Sequence, residues 1–196
     1  MTRIHPEALV SPDAAIGEGT SVWRNAQIRE GARLGRGCMI AQAVYIDYGV
    51  VIGDHVKIEN ASSLHHGVEL EEGVFVGPHV VFTNDKLPRA INPDGSLKGR
   101  DDWVCGQTLV RYGAAVGANV VVVTGVTIGR WAMIGSGAVI TKDIPDHALA
   151  LGNPARVVGW VSARGVRCNT QEEALRLTAA ECAASTPTIQ PQGGER

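Results

Sequence analysis

The chain has 196 residues, 44% of them apolar, which suits one good-sized domain, or two small ones, with a real core. Aromatics make up only 5% while glycine reaches 24 residues, so the core must be aliphatic and the backbone rich in tight positions. Eighteen basic against twenty acidic side chains leave a net charge of −2, which argues against a nucleic-acid partner held by a broad basic face. No apolar run approaches the roughly 18 to 20 residues of a membrane span, and no signal-peptide core follows Met1. The expectation is a soluble, cytoplasmic protein without a membrane partner. Cys38, Cys105, Cys168 and Cys182 form no C-x-x-C pair, so neither a metal site nor a disulfide framework is expected.

Taken from the N-terminus, large apolar residues recur every six positions: Ile4, Val10, Ile16, Val22, Ile28, Leu34, Ile40, Ile46, Ile52, Ile58, Leu64, Leu70, Val76 and Phe82. Two residues before each stands a mostly small or β-branched one, among them Ala8, Ala26, Cys38, Val56 and Ser62. The pattern stops after Phe82 and returns in a shifted phase at Val110, Val116, Val122, Ile128, Ile134 and Ile140. A period of six fits neither an α-helix nor a half-exposed strand, but it fits a parallel β-helix, a coil of short strands joined by turns. With three strands per turn, residues eighteen apart stack, and twenty hexapeptides make six to seven turns. The expected fold is all-β, a β-helix domain over residues 1–143 interrupted by a loop at 84–105. A C-terminal extension at 144–184 contains a short helix from Gln171 to Ala184, and residues 185–196 read as a disordered tail.

The hexapeptides resemble those of left-handed β-helix acyltransferases, and the left hand is implied by that resemblance. Phe82-Thr-Asn-Asp-Lys-Leu-Pro-Arg-Ala90, placed between the two repeat blocks, is similar to a segment of nucleotide-sugar N-acetyltransferases that acetylate 3-amino sugars. Val56-Lys-Ile-Glu-Asn60, the run from Ile128 to Pro145, and Gly152-Asn-Pro-Ala-Arg-Val-Val-Gly-Trp160 extend the similarity. The match departs at Glu59, where glutamine is frequent, and at the C-terminal tail. The resemblance implies an acetyl-CoA-dependent N-acetyltransferase that needs no metal. It also implies a homotrimer whose active sites lie between neighbouring prisms.

Acetyl transfer from a thioester to an amine needs an unprotonated nucleophile, an oxyanion donor and a slot holding both reactants, with nothing covalent required of the enzyme. Of six histidines, His65 and His66 lie eighteen residues before Thr83 and Asn84, which stacks them beside the foot of the loop. They are the candidate general bases, and the resemblance makes Asn84 a contact of the amino sugar near the reacting nitrogen. Lys86 and Arg89 are candidates for substrate phosphate or carboxylate, and Asn60 joins them as a substrate-binding position. For coenzyme A, Gly117, Gly135 and Gly137 would let an extended pantetheine arm approach the backbone, while Lys142 and Arg156 would meet its phosphates. Three rivals have distinct signatures. A zinc hydratase on the same fold would need three histidine ligands, and its H-x4-H pair is absent. An O-acetyltransferase would take a hydroxyl acceptor, and a plain scaffold would carry no concentrated polar loop.

Overall fold

The computed structural model describes residues 1–99 and 101–185. The six-residue period becomes a parallel β-solenoid, in which short strands lie on those one turn earlier and form sheets of ten, seven and six strands. The register is eighteen residues per turn, with Arg3 opposite Ser21, Ser21 opposite Met39, and Met39 opposite Lys57. A two-residue strand offers one side chain to each face, because successive Cβ atoms alternate. The hexapeptide places its large apolar residue second, so Ile28, Ile40, Ile46, Ile58, Leu64 and Ile128 all point inward at no more than 1% exposure. Each such burial stabilises by about 1.5–3 kcal/mol. The small residues, such as Ala26, Ala32, Val44 and Val56, fill the space inside the corners and are buried as well.

Corners require a left-handed backbone. His55, His79 and His147 each take φ near +60° there, as do Asn25, Asn119 and Trp131. Half of the chain's histidines thus take the left-handed corner conformation, a use of polar side chains that tolerates positive φ.

The two ends of the solenoid differ. Among the described residues nothing pairs beneath the first turn, and Ile4 there is 47% exposed. At the other end, the strand Ala148–Leu151 adds an eighth parallel rung to the ten-stranded sheet, against Met133–Ile134. The stack therefore runs to about eight turns rather than six to seven, the added rung lying beyond the last regular hexapeptide. Arg156–Val161 and Arg167–Cys168 then pair antiparallel on that rung and close the sheet, an ending the period-six pattern does not announce.

The helix runs Gln171–Ser185, and its start is capped from both sides. Thr170 Oγ1 accepts from the Glu173 amide at 3.2 Å, and the Glu173 carboxylate accepts from the Asn169 amide at 2.8 Å. Gln171 donates to the Asp146 carbonyl and Thr178 accepts from the Ala163 amide, which docks the helix on the closing strands. Residues 186–196, nearly all of the expected tail, lie outside the described residues. Among the described residues no helix is long and apolar enough to cross a membrane.

The inserted loop leaves the seven-stranded sheet after Val81–Phe82 and re-enters the six-stranded sheet at Thr108–Val110. The stacking ignores it, since Val81 and Phe82 pair with Val121 and Val122 on the next rung. Two glycines let the strands meet at its foot. A Cβ on Gly67, at φ +90°, would run into the Gly106 carbonyl, and one on Gly106 would run into the Thr124 hydroxyl.

Candidate active site

The three corners of the prism carry different chemistry. The corner between the seven- and six-stranded sheets holds the loop, and its rungs read Arg29-Glu30, Asp47-Tyr48, His65-His66, Thr83-Asn84, Val123-Thr124 and Thr141-Lys142. His66 and Asn84 are on successive rungs, about 4.8 Å apart in backbone spacing.

Asp47 organises this corner. It is 6% exposed, and its carboxylate accepts from Tyr45 Oη at 2.9 Å, the Tyr48 amide at 2.8 Å, the His66 amide at 3.1 Å and Arg29 Nη1 at 3.0 Å. Burial alone would push its carboxyl upward. The amides of Tyr48 and His66, the Tyr45 hydroxyl and the Arg29 charge outweigh that and hold it below the ordinary aspartate value. Asp47 thereby fixes the backbone of the rung that bears both candidate histidines.

The two histidines are held differently. His66 Nδ1 lies 2.8 Å from the Tyr48 carbonyl, and its ring stacks on Tyr48 with centroids 4.0 Å apart. A carbonyl only accepts, so Nδ1 carries the hydrogen and the neutral ring keeps its lone pair on Nε2. His65 Nδ1 is 3.8 Å from Asp47 Oδ2, too far for a hydrogen bond, and its ring is tilted beside Tyr45. The structure thus distinguishes two residues that stacking arithmetic leaves equal. His147 makes the same Nδ1 contact with the Val161 carbonyl at 2.9 Å, but it is 3% exposed beneath the closing strands, where it can only be structural.

Asn84 is half-buried, and its carboxamide has no hydrogen-bond partner among the described residues. The local turn bond that an asparagine here could make is made by its neighbour instead, with Asp85 Oδ1 accepting from the Leu87 amide at 2.7 Å. Asn84 therefore keeps both donor and acceptor for another molecule. Lys86 folds back over turn six, where a Cβ on Gly125 would lie 2.9 Å from its Nζ. Arg89 lines the same hollow as Asn84 and donates to the Pro88 carbonyl at 2.8 Å.

The remaining candidates fall elsewhere. Asn60, Gly117, Gly135 and Gly137 are on the corner between the ten- and seven-stranded sheets, and Arg156 stands at the C-terminal end of that corner. Asn60 is occupied in stitching two rungs, accepting from the Gln42 amide at 3.1 Å. A Cβ on Gly117 would lie 2.7 Å from the Ile134 carbonyl and the Ser136 amide, and one on Gly135 would run into Leu151. Gly137, with φ +74°, faces open space. Lys142, grouped with these glycines by sequence position, belongs instead to the loop corner, two rungs beyond Asn84. Equivalent corner positions such as Asn60 and His66 are six residues apart, a span of at most about 20 Å. Within one chain the strand Ser63–Leu64 separates these two corners.

Sequence reasoning missed Asp47, Tyr48 and Thr124. Asp47 was findable by subtracting eighteen from His65. Thr124, 1% exposed, carries the one buried side-chain oxygen without a hydrogen-bond partner among the described residues. Burial pushes the Cys38 and Cys105 thiols up, away from the thiolate that a nucleophile would need. Among the described residues no group of three or more His, Cys, Asp or Glu is placed to hold a metal ion.

With this geometry in view, the class follows from the repeat. The chain is a hexapeptide-repeat solenoid, and the family model for the bacterial transferase hexapeptide (six repeats) matches residues 49–84, which contain both histidines and end at Asn84. The chain is 59% identical over 56 residues to the dTDP-3-amino-3,6-dideoxy-alpha-D-galactopyranose 3-N-acetyltransferase of Aneurinibacillus thermoaerophilus, 29% of each chain being covered. It is 30% identical over 120 residues to the serine acetyltransferase of Escherichia coli K12, covering 60% of this chain and 43% of that one. The chain thus spans less than half the length of these curated relatives. Among solved structures it is similar to GDP-perosamine N-acetyl transferase from Caulobacter crescentus in complex with CoA and GDP-perosamine. That match has a TM-score of 0.54 and 26% identity over 81% of this chain and 56% of that one. The acetyltransferase domain of PglB from Neisseria gonorrhoeae, in complex with acetyl coenzyme A, matches with a TM-score of 0.53 and 26% identity over 80% of this chain and 57% of that one.

Proposed function

We propose that the protein is an acetyl-CoA-dependent N-acetyltransferase acting on the amino group of a nucleotide-linked amino sugar. The observation that carries this reading is the loop corner, where an unengaged Asn84 carboxamide lies one rung from an imidazole with its Nε2 lone pair available. His66 Nε2 takes a proton from the sugar ammonium, and the freed amine attacks the thioester carbonyl carbon. The tetrahedral oxyanion collapses, the C–S bond breaks, and the leaving thiolate of coenzyme A takes up the proton the new amide must lose. Asn84 orients the amine. The similarity to two amino-sugar N-acetyltransferases, one solved with CoA and GDP-perosamine, supports the substrate class.

The site is shared between copies of the chain in a homotrimer. The segregation of Asn84, His66 and Lys142 from Gly117, Gly135 and Gly137 on separate corners supports this, because a neighbouring prism is what would bring the glycine corner to the loop. Coenzyme A then lies between two prisms, its pantetheine arm along the open backbone at Gly137 and its phosphates toward Lys142 and Arg156. Four cysteines without a disulfide fit a cytoplasmic setting.

The test is thiol release from acetyl-CoA with a panel of UDP-, dTDP- and GDP-linked 3-amino and 4-amino sugars, with serine and galactosides as hydroxyl controls. Turnover confined to amino sugars is the expected result. Turnover with a hydroxyl acceptor would move the protein to the O-acetyltransferases, in keeping with its similarity to serine acetyltransferase.

A further inference from the structure

The loop borders two adjoining open hollows, of about 320 Å³ and about 420 Å³, and Trp103, Lys98 and Asp85 belong to the walls of both. Asn84 and Arg89 line the first. Lys86 lines the second, whose floor is Thr124 and Gly125. Three of the loop's four acids are spent on its own shape. Asp85 caps Leu87, Asp94 accepts from the Ser96 amide and hydroxyl, and Asp102 accepts from the Gly99 amide at 2.7 Å and from Asn92. Its cations are not spent in this way, because among the described residues Lys86, Arg89 and Lys98 form no salt bridge. A half-buried indole beside Lys98 and Arg89, neither of which is salt-bridged although Asp85 shares the walls and Lys98 lies in the field of Asp102, suits an aromatic ligand joined to phosphates.

We propose that this loop binds the nucleoside diphosphate part of the acceptor, the base stacking on Trp103 and the diphosphate lying between Lys98 and Arg89. The proposal rests on the amino-sugar reading for its choice of ligand. Coenzyme A also carries a base and a diphosphate, but the presence of Asn84 in the first hollow ties this subsite to the acceptor. With the sugar amine at Asn84, the sugar and its phosphates lead outward along the loop to Trp103. Trp103 and Lys98 thus set affinity and nucleotide preference without touching the reacting atoms.

The experiment is calorimetric titration of the full chain with dTDP, UDP, GDP and coenzyme A, for the wild type, Trp103→Leu, Trp103→Phe and Lys98→Gln. At least one free nucleoside diphosphate should bind the wild type. Trp103→Leu should weaken it about tenfold or more, Trp103→Phe should stay within about threefold, and Lys98→Gln should weaken it and flatten its salt dependence. Coenzyme A should bind all four proteins alike. The proposal is overturned if no nucleoside diphosphate binds the wild type, if binding is indifferent to both Trp103→Leu and Lys98→Gln, or if coenzyme A is the ligand lost. Lys98→Gln changes a half-buried loop position outside the β-helix core and keeps the test open should Trp103→Leu fail to fold. The two readings fail separately: acetyl transfer with nucleotide binding indifferent to Trp103 sinks only the loop subsite, and Trp103-dependent nucleotide binding without transfer sinks only the enzyme.

Discussion

The loop corner and the glycine corner are built by the same hexapeptide and separated by one sheet, yet they are opposite in character. At the loop corner the turn positions carry side chains that hold one another: Asp47 gathers four donors, and Tyr48 fixes the ring of His66 by its carbonyl and by stacking. At the glycine corner the later rungs put Gly77, Gly117 and Gly135 in the first turn position, and a Cβ at Gly117 would already press on the next rung. A solenoid can thus keep one core repeat and vary function through corner residues, which contribute little to the core. In the proposed reading one corner supplies chemical groups and the other an open backbone track, and the acetyl-transfer site needs both.

That contrast can be broken at several points. The largest effect is expected at the oriented imidazole: His66→Gln should lower kcat about 10²- to 10⁴-fold with little change in stability, whereas His65→Gln should change kcat far less. Equal losses would mean that the Nδ1 bond to Tyr48 does not choose the base.

Asp47→Ala should cost about 1–3 kcal/mol in denaturant unfolding at pH 7, since it leaves the amides of Tyr48 and His66 without their acceptor while Arg29 keeps its pair with Glu30. The folded carboxyl is held below its ordinary value of 3.8, so its stabilisation is complete above that value and is lost as pH falls through the folded one. Unfolding curves of wild type and Asp47→Asn should therefore converge only once pH has fallen below the lowered value of the folded carboxyl. A gap that persists in acid would assign the role of Asp47 to packing.

The smallest effect separates two glycines. Gly117→Ala must displace backbone 2.7 Å away and should cost about 2–3 kcal/mol, while Gly137→Ala meets open space and pays only for φ +74°, about 1 kcal/mol. If Gly137→Ala raises the KM for acetyl-CoA while Gly117→Ala mainly lowers Tm, the open backbone at Gly137 is the functional one.

The strands of the repeat were legible in the sequence to the residue, because a period of six with one inward position per strand leaves no second register; each large residue of the period, from Ile4 to Phe82 and Val110 to Ile140, ends a strand. The loop was legible too, as the place where the phase breaks. The closing hairpin was not, because Ala148–Leu151 pairs by tertiary contact after the period has ended. The candidate site was half legible. Subtracting eighteen puts His66 beneath Asn84, but which corner each glycine occupies depends on counting strands three at a time, and that count removes Lys142 from the glycines. The tautomer of His66 was invisible, since it depends on where the Tyr48 carbonyl points.

The central claim is that the acetyl-transfer site is divided between two corners on different copies of the chain. Asn84→Ala disables the loop corner and Gly137→Trp obstructs the glycine corner, and each protein alone should be inactive. Unfolded together and refolded as an equal mixture, they should recover thiol release at about a quarter of the wild-type sites, those pairing one intact corner of each kind. A mixture as inactive as its parents would contradict the divided site and place all of the chemistry at the loop corner of a single chain.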